Sequence, residues 1–360
     1  MRELDGSNAG GQFLRTALTL SVLEDEPVRL ENVRGDRPNP GLANQHLAVL
    51  ETLAEICDAE VSGAELGAET VEFDPDRSSA GGLEGGSYAV DIGTAGSVTL
   101  LFDALLPLAT VLEAPLSVTA TGGTDVEWSP PLEYFRQVKL PLLGAHGLVA
   151  SCEVDRRGFY PDGGGRATLR IAPSSLEPLA LERRGDLEGV RLYSTESASL
   201  ADRDVAHRQL EGALERLDLA GGGRNADGVD EDKQTELAVL ERQERTAESP
   251  SPGSALVIRV DHGTGIAGFG ALGERGKPAE RVGEDAADAA NRFLEGDAAV
   301  DRHMGDQLLL FLALAGGRVR IPRVTDHVET SRALLEAFGR EVDLERREEG
   351  AVVSRSPGPP

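Results

Sequence analysis

Asp5-Gly6-Ser7-Asn8-Ala9-Gly10-Gly11-Gln12-Phe13-Leu14-Arg15 begins the most informative stretch of the chain, which runs on through Arg34-Gly35-Asp36-Arg37-Pro38-Asn39-Pro40-Gly41 to Gln45-His46. The glycine-rich turn feeds a helix expected over 11–23, so backbone N–H groups at its start are exposed as an anion site. Arg15, Arg34 and Arg37 add planar donors suited to phosphate oxygens, two of them in a loop stiffened by Pro38 and Pro40. Hydrophobic periodicity continues the pattern with a strand over 28–33, a helix over 42–57 and short strands near 59–61 and 71–73. This amounts to one unit of helices laid on a small sheet.

The same order returns downstream. A strand over 88–92 precedes a helix over 97–108, then come a strand at 116–121, a helix at 131–144 and strands at 149–156 and 166–171. A third unit is expected from helices at 280–294 and 301–315, a strand at 319–321 and a helix at 330–338. The fold class is therefore α/β of the α+β kind, with about three repeats of two helices on a mixed four-stranded sheet. A smaller α/β domain interrupts them. We expect the repeats to occupy 1–182 and 276–345 and the insert 183–275, with 218–253 flexible because aromatic residues are missing from 218–253. A fraying tail follows at 346–360. Within the insert, His262-Gly263-Thr264-Gly265 belongs to an expected hairpin, so its glycines are not a dinucleotide fingerprint.

Charge bounds the partners. The 360 residues carry 62 Asp+Glu against 36 Lys+Arg, a net charge of -26, and the only lysines are Lys139, Lys233 and Lys277. Acidic excess with almost no lysine is the pattern of a protein adapted to molar salt, where the Debye length is about 3 Å. A local basic pocket on such a body can still bind nucleic acid through short-range contacts. Cys57 and Cys152 are too few for a disulfide framework, which fits a reducing cytoplasm. The longest apolar run, 308–315, is far short of the roughly 20 residues of a membrane span, so no membrane partner is expected.

Taken together in order and spacing, the motifs carry more than any one of them. Besides those above, they are Ile92-Gly93-Thr94-Ala95-Gly96-Ser97, Gly122-Gly123-Thr124-Asp125, Gly158-Phe159-Tyr160-Pro161 with Gly163-Gly164-Gly165, Gly276-Lys277-Pro278, Asp306-Gln307-Leu308, and His327 with Thr330. The chain resembles the RNA 3'-terminal-phosphate cyclase family from Leu4 to about Asp343, a family whose sheet-and-helix repeats are similar to those of enolpyruvate transferases. The resemblance implies ATP-dependent conversion of an RNA 3'-terminal phosphate to a 2',3'-cyclic phosphate, a ligase-type nucleotidyl transfer. It implies a covalent histidine-AMP, then an RNA-adenylate, then displacement of AMP by the neighbouring 2'-OH.

Residue by residue, the resemblance places the nucleophile at His327 and the phosphate and RNA contacts at Arg15, Arg34, Arg37, Gln45 and His46. It places ATP at Asp103, Pro130, His303, Met304, Gly305, Asp306 and Gln307, with His303 and Pro130 sandwiching the adenine. Besides ATP it implies a divalent metal, Mg or Mn. Three departures stand out. The N-terminal turn is about two residues short and lacks the family's metal-holding glutamate, with Asn8 or Ala9 nearest. Asp103 replaces a usual glutamine and is expected to supply some of the lost metal affinity, since hard cations seek carboxylate oxygen. Asn44 stands where an arginine is common. Two other functions compete: a catalytically inactive cyclase-like binding factor in ribosomal RNA maturation, and enolpyruvyl transfer. Inactive relatives lack the histidine that is present here at 327. Oligomeric state is left open by the sequence.

Overall fold

The structure is a computed structural model that describes residues 1–76, 82–219 and 237–356. Three units share one topology. In the first, β1 (Arg2–Asp5) leads through α1 (Gly11–Glu24) to β2 (Val28–Glu31), then α2 (Asn44–Cys57) to β3 (Glu60–Ser62) and β4 (Val71–Asp74). The sheet order is β1-β2-β4-β3, with β1 and β2 parallel and the other pairs antiparallel. The second unit repeats this with β5 (Gly86–Asp91), α3 (Val98–Leu105), β6 (Leu116–Gly122), α4 (Leu132–Tyr134) and α5 (Leu140–Gly144), β7 (Ala150–Arg156) and β8 (Gly165–Ile171), in the order β5-β6-β8-β7. A five-residue π turn, Phe135–Lys139, joins α4 to α5.

The third unit starts at β9 (Leu179–Leu181) and is then interrupted. The insert contains β10 (Leu187–Ser197), α6 (Val205–Arg216), β11 (Val239–Ala247), β12 (Ser254–His262), β13 (Gly265–Leu272) and α7 (Ala279–Glu295). Its sheet runs β11-β10-β12-β13. The repeat resumes with α8 (Arg302–Gln307), α9 (Leu309–Ala315), β14 (Gly317–Ile321), α10 (Asp326–Ala337), β15 (Asp343–Arg346) and β16 (Ala351–Arg355), giving the order β15-β16-β14-β9. β9 pairs in parallel with β14 across the whole insert. The repeated mixed sheets are those expected from sequence, completed by β1, β9, β15 and β16, which the periodicity does not reveal.

One hydrophobic core runs through all three repeats, from Leu14, Leu18 and Phe73 through Phe102 and Phe135 to Val319 and Leu335. A second, separate core holds the insert and includes Leu192, Leu210, Ile258, Ala286, Ala287 and Ala290. So α7, read from sequence as part of the third repeat, packs on α6, β12 and β13 instead. Its small Ala286-Ala287-Ala290 face, with Gly283 against the Gln209 carbonyl of α6, lets the two helix backbones approach closely. Within the stretch expected to be flexible, Val239–Ala247 is ordered as the edge strand β11, and 220–236 lies outside the described residues. The expected tail is a strand too: β16 sits between β14 and β15, with Ala351, Val352 and Val353 buried. The expected 262–270 hairpin is the antiparallel pair β12–β13.

Candidate active site

Helices from all three repeats meet where α1 begins. The Asp5 turn is tied by the Ser7 backbone N–H and hydroxyl, which donate to Asp5 Oδ1 at 3.0 and 2.6 Å. The Asp36 N–H donates to the Ser7 carbonyl at 2.9 Å, so the arginine loop is laced against the glycine turn. Gly10 is the N-cap of α1 and supplies no capping side chain, and the first turn contains no acidic residue. The orphan N–H groups there are open to an anion. A Cβ on Gly10 would lie 3.4 Å from Arg37 Nη2 and 3.9 Å from His327 Cε1. One on Gly11 would overlap the His46 ring and stand 3.2 Å from Arg15 Nη1. Two bare glycines are thus surrounded by four of the residues expected at the site.

His46 is buried, and its Nδ1 accepts the Ala43 N–H at 3.2 Å. That bond assigns the proton to Nε2, on the side of Gly11. Burial first, then Arg15 and Arg34, push its pKa down to about 3, so it remains a neutral donor. Arg15 is held down to about 10 by burial, against the pull of Asp103, and stays charged at neutral pH. In a chain so rich in acid, Arg15, Arg34 and Arg37 form no ion pair among the described residues. Arg34 donates to the Gly41 carbonyl at 2.9 Å, and Gln45 Oε1 accepts the Ser97 N–H at 3.3 Å.

The His46 shift gives a pH test. The folded form resists a proton that the unfolded chain accepts near 6.5, so stability falls as pH drops from about 6.5 to the folded value near 3. Within that window His46→Gln should flatten the acid limb by about 1.4 kcal/mol per pH unit, as read from urea midpoints of parent and variant. Equal slopes would show that His46 is freely solvated.

His327 occupies the first turn of α10. Thr325 caps that helix, accepting the Val328 N–H at 3.2 Å while its hydroxyl donates to Asp306 Oδ1 at 2.6 Å. This couples α8 to α10. Burial raises the Asp306 pKa, countered by Thr325 and by the nearby His327, His303 and Arg302. The His327 ring is exposed and makes no hydrogen bond among the described residues. His262 differs, with Nε2 on the Ala299 carbonyl at 3.0 Å and Nδ1 on Thr264 Oγ1 at 3.1 Å.

Beside this point Gln12, Arg15, Asp103, Lys139, Asp306, Gln307 and Ser331 line a cleft floored by Leu100, Phe311 and Leu335. Gln307 Oε1 is buried there without a hydrogen-bond partner. The other expected ATP contacts lie apart from this wall. His303 is exposed on α8, Met304 is fully buried in the core, Gly305 packs against Ile321, and Pro130 accepts the Thr99 hydroxyl through its carbonyl at 3.0 Å. The Met304 side chain therefore serves packing and leaves only backbone for a ligand. Asp301 anchors α8, accepting the His303 and Met304 N–H groups, the Tyr134 hydroxyl and the Gly268 N–H, all within 3.0 Å.

Lys139 is the charged cleft residue that sequence reasoning missed. It is 2 % exposed, at the end of the π turn, with its ammonium 2.7 Å from Asp103 Oδ1 and 5.9 Å from the centre of the Phe311 ring. Being one of three lysines in the chain was the available signal. Its position also bears on the metal. Asp103 is the counter-ion of Lys139, with the unpaired Arg15 charge within its electrostatic reach, and no group of three or more His, Cys, Asp or Glu among the described residues could hold an ion. The residues present do not fit a protein-built metal site, and the expectation for Asp103 as a metal ligand fails on its lysine partner. Asp103→Asn should lower stability by about 3 kcal/mol by leaving a buried ammonium unpaired. Adding Lys139→Met should restore most of it in urea unfolding. A double variant as unstable as the single one would deny the pairing.

Comparison with known proteins gives the family. The family model described as RNA 3'-terminal phosphate cyclase matches residues 7–343. The chain belongs to the RNA 3'-terminal phosphate cyclase family. A protein of that name from Halobacterium salinarum is 45% identical over 98% of this chain and 99% of its own. Similarly named proteins from Methanopyrus kandleri and Thermococcus onnurineus are each 41% identical, covering 93% and 97% of this chain and 92% and 97% of theirs. A solved enolpyruvyl transferase, NikO from Streptomyces tendae, is 21% identical with a TM-score of 0.29, over 50% of this cyclase-family chain and 34% of that one. No helix of the described residues is long and apolar enough to cross a membrane.

Proposed function

We propose that this chain uses ATP to convert an RNA 3'-terminal phosphate into a 2',3'-cyclic phosphate, in the cytoplasm, through a His327-AMP adduct and an RNA-adenylate. The observation that carries the reading is the unbonded His327 ring next to the uncapped N-terminus of α1 and Arg37. An imidazole nitrogen attacks the α-phosphorus of ATP and pyrophosphate leaves with the electron pair of the broken P–O bond. A phosphate oxygen of the RNA end then attacks that phosphorus and frees the imidazole. Finally the 2'-oxygen attacks the 3'-phosphorus, loses its proton and expels AMP.

Each step develops charge on phosphoryl oxygens, where preorganised donors act most strongly. Arg15, Arg34, Arg37, the neutral Nε2–H of His46 and the first amides of α1 supply those donors. Gln45, tied to Ser97, lines the RNA side of the same hollow. The unpartnered Gln307 Oε1 in the cleft suits the amino group of adenine, and the base would extend past the cleft lining to lie between His303 and Pro130. Because the described residues do not form a site for a divalent ion, no step here runs through one. The test is incubation with α-labelled ATP, with and without a 3'-phosphorylated oligoribonucleotide. We expect an acid-labile labelled protein with ATP alone and a phosphatase-resistant RNA end when RNA is added. RNA retention without label would favour the inactive binding factor instead.

A further inference from the structure

Trp128 is the only tryptophan of the chain and is 95% exposed. It also sits at φ 65, where the other described non-glycine residues are Asp, Asn or Arg. A bulky side chain is an outlier in that region, and such strain persists where surrounding structure holds it. A second aromatic, Tyr160, is 74% exposed on a neighbouring loop. That loop is pinned. The Gly163 N–H donates to the Phe159 carbonyl at 2.8 Å, Ser251 donates to Asp162 at 2.8 Å, and Arg156 Nε donates to the Gly164 carbonyl at 2.8 Å.

The two aromatics stand on adjacent backbone that leads away from the candidate site. Gln45 holds the Ser97 N–H, Ser97 bridges Gly123, the Thr124 N–H reaches the Gly158 carbonyl, and Asp125 bridges Phe159 in parallel. Trp128 and Tyr160 follow three and one residues on, which puts Trp128 within about 25 Å of Ser97. Arg156 is exposed beside them and forms no ion pair among the described residues. Asp162 is taken by Ser251, whereas Glu127 next to Trp128 forms no ion pair among the described residues, on a body of net charge -26. Long-range attraction therefore does not hold a polyanion here, but stacking on an aromatic face needs no net charge and tolerates any base.

We propose that Trp128 and Tyr160 form a stacking platform for unpaired bases of single-stranded RNA upstream of the 3' end, with Arg156 on the backbone phosphate between them. The proposal rests on the reading that an RNA end enters the cleft, and it adds the rest of the strand. Splayed bases of single-stranded RNA are recognised in this manner in general.

Trp128 is its own probe. A 3'-phosphorylated oligoribonucleotide of about six nucleotides should quench its fluorescence in molar KCl, whereas a 3'-phosphorylated mononucleotide should not. Trp128→Ala and Tyr160→Ala should each raise the KM for that oligonucleotide about tenfold, one stack's worth. The KM for a 3'-phosphorylated dinucleotide and the labelled-AMP adduct formed with ATP alone should be unchanged, and Trp128→Phe should recover most of the loss. If the oligonucleotide is cyclised with Trp128 emission unmoved, the strand runs elsewhere and the platform is overturned while the activity stands. If the adduct forms but no RNA binds, both the platform and the RNA reading fall. A blue shift with protein concentration alone would place a second copy on these rings and also overturn the proposal.

Discussion

His327→Ala leaves no acid-labile AMP on the protein after incubation with labelled ATP, and with it cyclisation falls to background. The effect is total because a covalent carrier has no partial substitute: methyl in place of imidazole removes the nucleophile along with the adduct. Folding should be untouched. The ring is exposed and bonded to nothing described, and α10 keeps its Thr325 cap and its buried Val328, Leu334 and Leu335. An unchanged melting temperature beside a lost adduct separates chemistry from structure. Label that survives the substitution would move the nucleophile to another side chain.

Arg15→Met should cut the rate of adduct formation by about 10²–10³, the usual loss for one preorganised donor to a developing oxyanion. Its effect on stability should have the opposite sign. Arg15 is desolvated enough to depress its own pKa despite the pull of Asp103, forms no ion pair among the described residues, and stands close to another cation, Lys139. Replacing it with an apolar chain of similar length relieves that repulsion and should stabilise the fold by about 1 kcal/mol. Single-turnover labelling and urea unfolding on the same preparation check both halves. A structural arginine would behave differently, losing stability and keeping the rate.

The helices and longer strands were legible because their apolar spacing reports burial directly, as in Leu14, Ala17 and Leu18 of α1. The short strands were not. Among β1's residues only Leu4 is buried, and β9 has three residues, too few for a period to show. β16 hid behind charged neighbours, although Ala351-Val352-Val353 is a sound buried strand once β14 and β15 flank it. α7 was read correctly as a helix but given the wrong neighbour, since an alanine face does not say which core it fills. At the site, residues close in sequence to the glycine turn could be named from chemistry. Lys139 could not, because the π turn that rotates it inward has no sequence period.

The pairing of β9 with β14 also sets an order of events during synthesis. Roughly 135 residues separate Leu181 from Gly317, so at about 5–20 residues per second the nascent third sheet waits many seconds for its parallel partner. Leu179 and Leu181, destined for the interior, would stay wet throughout that interval. The intervening segment carries a core of its own and can collapse as a unit while the ribosome is still working. Slowing translation anywhere between Leu181 and Gly317 should therefore lengthen the exposure of β9 to chaperones and aggregation, even though the intervening segment can fold meanwhile.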